Sequence, residues 1–523
     1  MKNLDQIFQA TRKVAPEGLQ HLFDENAKNP EEILTALQEQ VQGERMPSYV
    51  AELARLEFTF YQCASSSPPP ANVQSFQINP TLSLLEFGYS GFLRMLNPLQ
   101  AESKQEPQPG SELILLWKKP EEQTVQTKVA SPRDLLALKI VAENIAPEKI
   151  AQEHGLLPLE LKNVLSKAAG EGLLLAPKSK IVRSSNFTSK EQDWAWPRYA
   201  RAKIFTLQWH VTQACDLHCR HCYDRTQRSD MPFEQALAVL DKFKSFCDSC
   251  HVQGQISFTG GNPLLYPKFS CLYARASERG FILAILGNPA KKDILRELQD
   301  IQSLAFYQVS LEGLQEHNDW IRGTGHFKKV LKFLDTLREL GISSQVMLTL
   351  TKENIDQILP LARVLQGRTD RFTFNRLSSV GEGADLQLPG KRKYASFMQD
   401  YLQAAKELPF LGLKDNLLNA RLWQNGAPVF GGCTGFGCGA AFNFVSLLPD
   451  GEVHACRKFE SKIGNLYDQD LVTIYKSQQA RLYRSGPSEC QGCTIRPVCR
   501  GCLAVISSSG LDVHKNCDPY CFF

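Results

Sequence analysis

Between about residues 203 and 380, short apolar runs of strand length alternate with longer segments whose apolar residues recur every three or four positions. The strand-like runs are Ile204–Thr212, Gln255–Thr259, Phe281–Leu286, Phe306–Leu311, Gln345–Thr351 and Arg371–Leu377. The helical ones are Phe233–Cys247, Phe269–Arg279, Lys291–Leu298, Phe327–Leu340 and Ile355–Leu365. Strand and helix in strict alternation predict an α/β fold, a parallel sheet with helices outside it. Six such units are too few for a closed eight-stranded barrel.

The pattern before residue 200 is different. Residues 1–65 read as a helical extension, with apolar residues at helical steps over Glu31–Val41 and Ser48–Phe60. Ser65-Ser-Ser-Pro-Pro-Pro70 breaks that pattern as a linker. A second unit is expected over 66–190. Glu112–Trp117 and Thr124–Val129 alternate as a hairpin around Pro120-Glu-Glu. Ser131-Pro-Arg-Asp134 offers a helix cap, a proline at the first helical position and an acid at the third. Helices are expected over Leu135–Glu143, Pro147–His154 and Leu159–Ala169, and Leu173–Pro177 closes the unit as a wing-like strand. This is a winged-helix pattern, which can bind DNA through the second helix of its pair. Leu159–Ala169 carries only Lys162 and Lys167, balanced in part by Glu160, and lacks the clustered basic face that DNA requires.

Composition adds limits. Of 523 residues, 43% are hydrophobic and 22% charged, as in ordinary globular proteins, and the formal charge of +4 is too small to imply a nucleic-acid or membrane partner. No run of eighteen apolar residues occurs, and Met1-Lys-Asn-Leu-Asp5 does not begin a signal peptide. A cytoplasmic protein is expected. The sixteen cysteines are unevenly placed: one before residue 200, six between Cys215 and Cys271, and nine after residue 430. A disulfide framework would be spread more evenly, so metal or redox chemistry is the better expectation.

The densest chemistry is Cys215-Asp-Leu-His-Cys219-Arg-His-Cys222-Tyr223, directly after the first strand. Thiolates at this spacing can converge on one metal centre from a single loop. An iron–sulfur cluster normally takes four cysteines, so three leave one iron open to a ligand. A zinc site completed by His218 or His221 is the alternative reading of the same spacing.

Cys-x3-Cys-x2-Cys, with an aromatic residue before its last cysteine, resembles the signature of the radical S-adenosylmethionine (SAM) enzymes. The resemblance implies a partial (β/α)6 TIM barrel over 200–390, with the site at the C-terminal ends of its strands. It also implies that Cys215, Cys219 and Cys222 hold a 4Fe-4S cluster whose free iron chelates SAM. Thr259-Gly260-Gly261-Asn262-Pro263 is similar to the family's Gly-Gly-Glu-Pro edge, which meets the methionine amine, although Asn262 replaces its glutamate. Ser310-Leu-Glu312-Gly313, with Arg322-Gly323 downstream, resembles a second family run. It implies that Ser310, Glu312 and Arg322 serve the carboxylate and ribose of SAM, with Arg376 as a further candidate carboxylate contact.

The C-terminal cysteines, over 391–523, resemble the SPASM domain, the auxiliary-cluster extension of radical SAM peptide maturases. Gly451-x4-Cys456 and Cys490-x2-Cys493-x5-Cys499 fit the pattern directly, whereas the gap to Cys502 is one residue short. Family connectivity implies one auxiliary 4Fe-4S cluster on Cys433, Cys438, Cys456 and Cys502. A second would sit on Cys490, Cys493, Cys499 and Cys521, with Cys517 competing for the last place. The cofactors so implied are SAM and three 4Fe-4S clusters, two of them auxiliary.

The function implied is modification of a ribosomally made precursor peptide by hydrogen abstraction and thioether crosslinking. The second unit would then be a winged-helix-like domain binding the peptide's leader, and an external flavodoxin or ferredoxin would supply electrons. Anaerobic sulfatase maturation and carbon–carbon bond formation fit the same motifs. A zinc-ribbon, winged-helix regulator is the alternative outside enzymes.

Overall fold

The computed structural model describes residues 7–23, 29–96, 106–120, 122, 124–184 and 197–523. Two compact units divide the chain, Met1–Lys178 and Ser179–Phe523. Met1–Asp5, Glu121 and the end of the 66–190 segment, all used in the sequence reading, fall wholly or partly outside the described residues.

In the first unit, helices Pro30–Gln42 and Ser48–Ser65 follow the expected spans. Ile33, Leu37, Val50 and Ala54 bury the faces that their spacing lines up. The linker leads into a short strand, β1 (Gln77–Ile78), then β2 (Ser83–Ser90), β3 (Gln108–Lys118) and β4 (Val125–Val129). These last three form an antiparallel sheet in the order β2-β3-β4. Sequence reading found the β3–β4 hairpin but not β2, whose Leu85 and Phe87 pack with Ile114 and Leu116 of β3. Helix Pro132–Ala142 starts at the expected cap: Ser131 and Asp134 form a reciprocal capping box. Helices Pro147–His154 and Pro158–Glu171 follow. The wing-like strand is reduced to β5 (Leu174–Leu175), which pairs with β1 and not with the hairpin. Leu173 and Leu174 are buried against the helices, so this run serves as core rather than as an exposed wing.

The second unit carries six parallel strands: β6 (Ile204–Thr212), β7 (Gln253–Gly260), β8 (Ile282–Leu286), β9 (Phe306–Ser310), β10 (Ser344–Leu350) and β11 (Arg371–Arg376). They lie in sequence order, as right-handed strand–helix–strand crossovers lay them down. Alternate residues such as Phe205, Leu207 and Trp209 of β6 are fully buried in a large apolar core that includes the helices. The sheet is not closed. Beyond β6 it continues into β12 (Phe444–Leu447), β13 (Glu452–His454) and β14 (Lys462–Asn465). β12 runs parallel to β6, with Phe444 opposite Thr206 and Leu447 opposite Trp209. The segments expected as 200–390 and 391–523 therefore share one nine-stranded sheet and one core. Among the described residues, no helix is long and apolar enough to cross a membrane.

Candidate active site

The open sheet encloses a cavity of about 930 Å³. Cys215, Cys219 and Cys222 line it from the loop after β6, and Cys433, Cys438, Cys456 and Cys502 line it from the C-terminal region. All sixteen cysteines are free thiols. Among the described residues, no three His, Cys, Asp or Glu side chains meet closely enough to hold a single metal ion. The thiols instead stand around a shared space: burial raises the Cys219 thiol against the pull of Arg322, and Cys215 and Cys222 are near enough to add to the rise.

The first cysteine loop is held by backbone contacts from the next strand end. Gly261 N donates to Thr212 O at 3.0 Å, and Asn262 N to Ala214 O at 2.7 Å. A side chain at Gly260 or Gly261 would place its Cβ 2.1 Å from Thr212 O or 2.2 Å from Ala214 O. Glycine is required there because backbone meets backbone. Both glycines line the cavity.

Asn262, buried to 5% exposure, explains its own departure from the family motif. It donates from Nδ2 to Asp216 Oδ1 at 3.0 Å, and Asn288 Nδ2 donates to the same oxygen at 2.6 Å. Asn288 Nδ2 also lies 3.6 Å from Cys215 Sγ. A glutamate at 262 would set two carboxylates together, whereas an amide donates. The acidic group of this corner thus sits on the cysteine loop. Asn262→Glu is expected to cut both iron uptake and 5′-deoxyadenosine release by about tenfold. The double variant Asn262→Glu with Asp216→Asn restores a donor–acceptor pair. Equal activity in the Asn262→Glu enzyme and the parent would contradict this.

Glu312 is almost fully buried at 1% exposure. Arg322 donates to its Oε1 through Nε at 2.9 Å and Nη2 at 2.6 Å; Thr349 N donates to Oε2 at 2.7 Å. His221 Nε2 lies 3.1 Å from Oε1. Burial alone would raise this carboxyl, but His221 and Arg322 hold it well below the usual range. Its oxygens are used within the protein, and it does not line the cavity; Arg322 and Ser310 do. Arg322 also reaches Cys219 Sγ, at 3.7 Å from Nη1. Glu312 therefore aims a guanidinium at the cysteine loop.

Arg376 is likewise committed. Its Nε pairs with Asp415 at 2.7 Å, and its Nη1 and Nη2 pair with the two oxygens of Asp518 at 2.9 and 2.6 Å. Asp518 Oδ2 also accepts from Cys502 N at 2.8 Å. This bidentate pair fastens the C-terminal cysteine loop to the end of β11. Asn416 adds a second clasp, accepting from Cys433 N at 2.7 Å. Sequence reading missed Asp216, Asn288, Asp415 and Asn416. Asp518 stands in Asp518-Pro-Tyr-Cys521, three residues before a cysteine the sequence reading singled out.

Burial pushes the Cys456 thiol up to about 12 and Cys502 to about 11, with Cys438 adding to both. Such thiols become ligands when a metal takes the place of the proton. Cys490, Cys493, Cys499 and Cys521 do not line the cavity and form a separate neighbourhood. Cys521 adds charge repulsion at each of Cys490, Cys493 and Cys499, and Cys517 adds it at Cys490. The free thiols, the donors aimed at Cys215 and Cys219, and the clasped C-terminal loops all suit thiolate-ligated clusters.

Comparison with known proteins agrees with this arrangement. Residues 209–365 match the model of the radical SAM superfamily, and residues 438–503 match SPASM, an iron–sulfur cluster-binding domain. The chain is 27% identical to the mycofactocin maturase MftC of Mycolicibacterium smegmatis, over 60% of this chain and 82% of that protein. It is 22% identical to the subtilosin biosynthesis protein AlbA of Bacillus subtilis, over 57% and 64%. The Fe-coproporphyrin III synthase of Methanosarcina barkeri is 28% identical over 41% of this chain, which spans 55% of that relative's length. Among solved structures, Streptococcus suis SuiB bound to S-adenosylmethionine has the same fold, with a TM-score of 0.50, 17% identity, and coverage of 79% of this chain and 96% of SuiB. The two matched domains imply SAM, a 4Fe-4S cluster and auxiliary clusters as cofactors. The chain thus carries a radical SAM domain over residues 209–365, followed by a SPASM domain over residues 438–503.

Proposed function

We propose that this enzyme is a peptide maturase that forms a thioether crosslink in a ribosomally made precursor. The observation that carries the reading is the single cavity shared by Cys215, Cys219 and Cys222 with Cys433, Cys438, Cys456 and Cys502. Relatives named as maturation or bacteriocin biosynthesis proteins, and SuiB solved with its precursor peptide SuiA, support a peptide substrate. When bound, the cofactors supply a one-electron cleavage of SAM, which removes a substrate hydrogen atom, and an acceptor for the electron released as C–H and S–H become C–S.

The chain's own residues supply position and enclosure. Cys215, Cys219 and Cys222 would hold the SAM-binding cluster, three thiolates leaving one iron for SAM. Gly260 and Gly261 let the backbone come close to the cofactor, while Asn262 and Asn288 fix the loop through Asp216. Ser310 and Arg322, on the cavity wall, would meet the polar end of SAM. Cys433, Cys438, Cys456 and Cys502, on the cavity wall, would hold one auxiliary cluster, and Cys490, Cys493, Cys499 and Cys521, outside it, the other. In the first unit, β4 pairs with β3 alone among the described residues. Its outer edge suits a leader peptide added as a further strand. A flavodoxin or ferredoxin supplies electrons from outside.

The test is mass spectrometry of a candidate precursor after incubation with enzyme, reductant and SAM. Loss of two hydrogens, with a cysteine protected from alkylation, is the expected product. Loss of two hydrogens with every cysteine still alkylated would replace the thioether by another bond. No change in any candidate peptide, together with turnover of a tetrapyrrole, would overturn the reading.

A further inference from the structure

Inward-facing strand positions of a closed α/β barrel are usually filled by bulky apolar residues. Here the same positions are largely polar. Gln208 on β6, Gln255 on β7, Gln308 on β9 and Gln345 on β10 all line the cavity and are half-buried. On the parallel strands, apolar lining comes from Leu286, Phe306 and Met347. Gln255 and Gln345 stand toward the N-terminal ends of their strands and Gln308 at the middle of β9, whereas the cysteine loop follows the C-terminal end of β6. Gln308 and Gln345 are direct neighbours in the parallel register.

These amides are only partly used within the protein. Gln208 Oε1 accepts from Ser446 Oγ at 3.1 Å, and Gln255 Nε2 donates to Ser257 Oγ at 3.2 Å. The side chains of Gln308 and Gln345 make no hydrogen bond to another described residue and face the cavity. Each carries both a donor and an acceptor, as a peptide unit does. Of the cavity-lining residues on the parallel strands, the charged one is Arg376, already paired with Asp415 and Asp518. A carboxylate lying against this wall would lose water, and the cavity's other cations, Arg225, Arg228, Arg322, Lys414, Arg457 and Lys458, stand outside the six strands.

We propose that this glutamine wall is a subsite for a short, uncharged stretch of substrate peptide, gripped through its main-chain amides. The inference rests on the peptide-maturase reading and deepens it: it specifies which part of the peptide enters the barrel. Nearby residues of the precursor that carry charge would remain outside the wall.

The test uses the reconstituted holoenzyme with SAM bound and three capped tripeptides with alanine flanks and a central serine, aspartate or lysine. Binding is read by equilibrium dialysis. The serine peptide is expected to bind about tenfold more tightly than the aspartate peptide, and Gln308→Leu with Gln345→Leu should remove about tenfold of its affinity. Gln308→Glu, a change of charge with little change of shape, should shift preference toward the lysine peptide. That gain does not depend on the leucine variant folding. Equal binding of all three peptides by the parent enzyme, or an unchanged preference in Gln308→Glu, overturns the subsite. If that happens while a full precursor is still modified, the maturase reading stands without the wall. Tight binding of iron coproporphyrin III with no peptide binding overturns the maturase reading itself.

Discussion

Cys215→Ala abolishes release of 5′-deoxyadenosine from SAM. Removing even a supporting contact to a metal ligand typically costs 10–100-fold in affinity or activity, so losing one of three thiolates should cost more than about a hundredfold. The loop offers no replacement sulfur: Asn262, Asn288 and Arg322, which reach into it, carry nitrogen donors. The contrast with Cys490→Ala makes the experiment informative. Cys490 lies outside the shared cavity, among Cys493, Cys517 and Cys521. That variant should keep part of the uncoupled SAM cleavage and lose crosslinked peptide. Chromatography of 5′-deoxyadenosine beside mass spectrometry of the peptide reads both losses in one reaction. Normal cleavage by Cys215→Ala would remove the barrel loop from the chemistry.

Arg376→Met produces the largest expected change in stability. The side chain is 2% exposed and neutralises two carboxylates, Asp415 and Asp518, that are themselves buried at 8% and 2%. Its loss leaves both carboxylates without their cation, and breaking a buried pair from one side costs about 3–5 kcal/mol. Desolvation alone would raise the Asp518 carboxyl, but Arg376 and the Cys502 amide hold it below its usual range. The variant should melt several degrees below the parent and lose iron first from the C-terminal clusters, because Asp518 also fixes Cys502 N. Thermal denaturation followed by both circular dichroism and cluster absorbance measures this. Coincident, unshifted melts would show that the clasp is dispensable.

Much of the fold was legible in the sequence because local pattern and tertiary role agree in the six strand–helix units. Runs such as Ile282–Leu286 are buried and bounded by turns, so their period and length identify them without knowledge of their partners. The cap at Ser131 was equally local. What stayed hidden was non-local. β12 is four residues long, and nothing in Phe444–Leu447 says that it pairs with β6, more than two hundred residues earlier. Asp216 and Asn288 are 72 positions apart; Asp216 fills an unspecified place of the Cys-x3-Cys-x2-Cys pattern, and Asn288 lies outside any motif. The roles of Glu312 and Arg376 show the same limit. Their residue types were noticed, but whether a charge faces a ligand or another charge depends on neighbours such as Thr349 and Asp518 that only the fold brings near. The glutamine wall was visible letter by letter. Its meaning appeared only when alternate positions of four strands turned to one cavity.

The central claim is that three thiolates hold a cluster with one iron left for SAM, within the chamber that the nearer C-terminal cysteines also line. Electron paramagnetic resonance of reduced enzyme in which Cys438 and Cys490 are both replaced by alanine, recorded with and without SAM, tests it most directly. A reduced 4Fe-4S signal that shifts when SAM is added, and vanishes with Cys215→Ala, is the predicted result. A signal indifferent to SAM, or one that survives loss of Cys215, would contradict it.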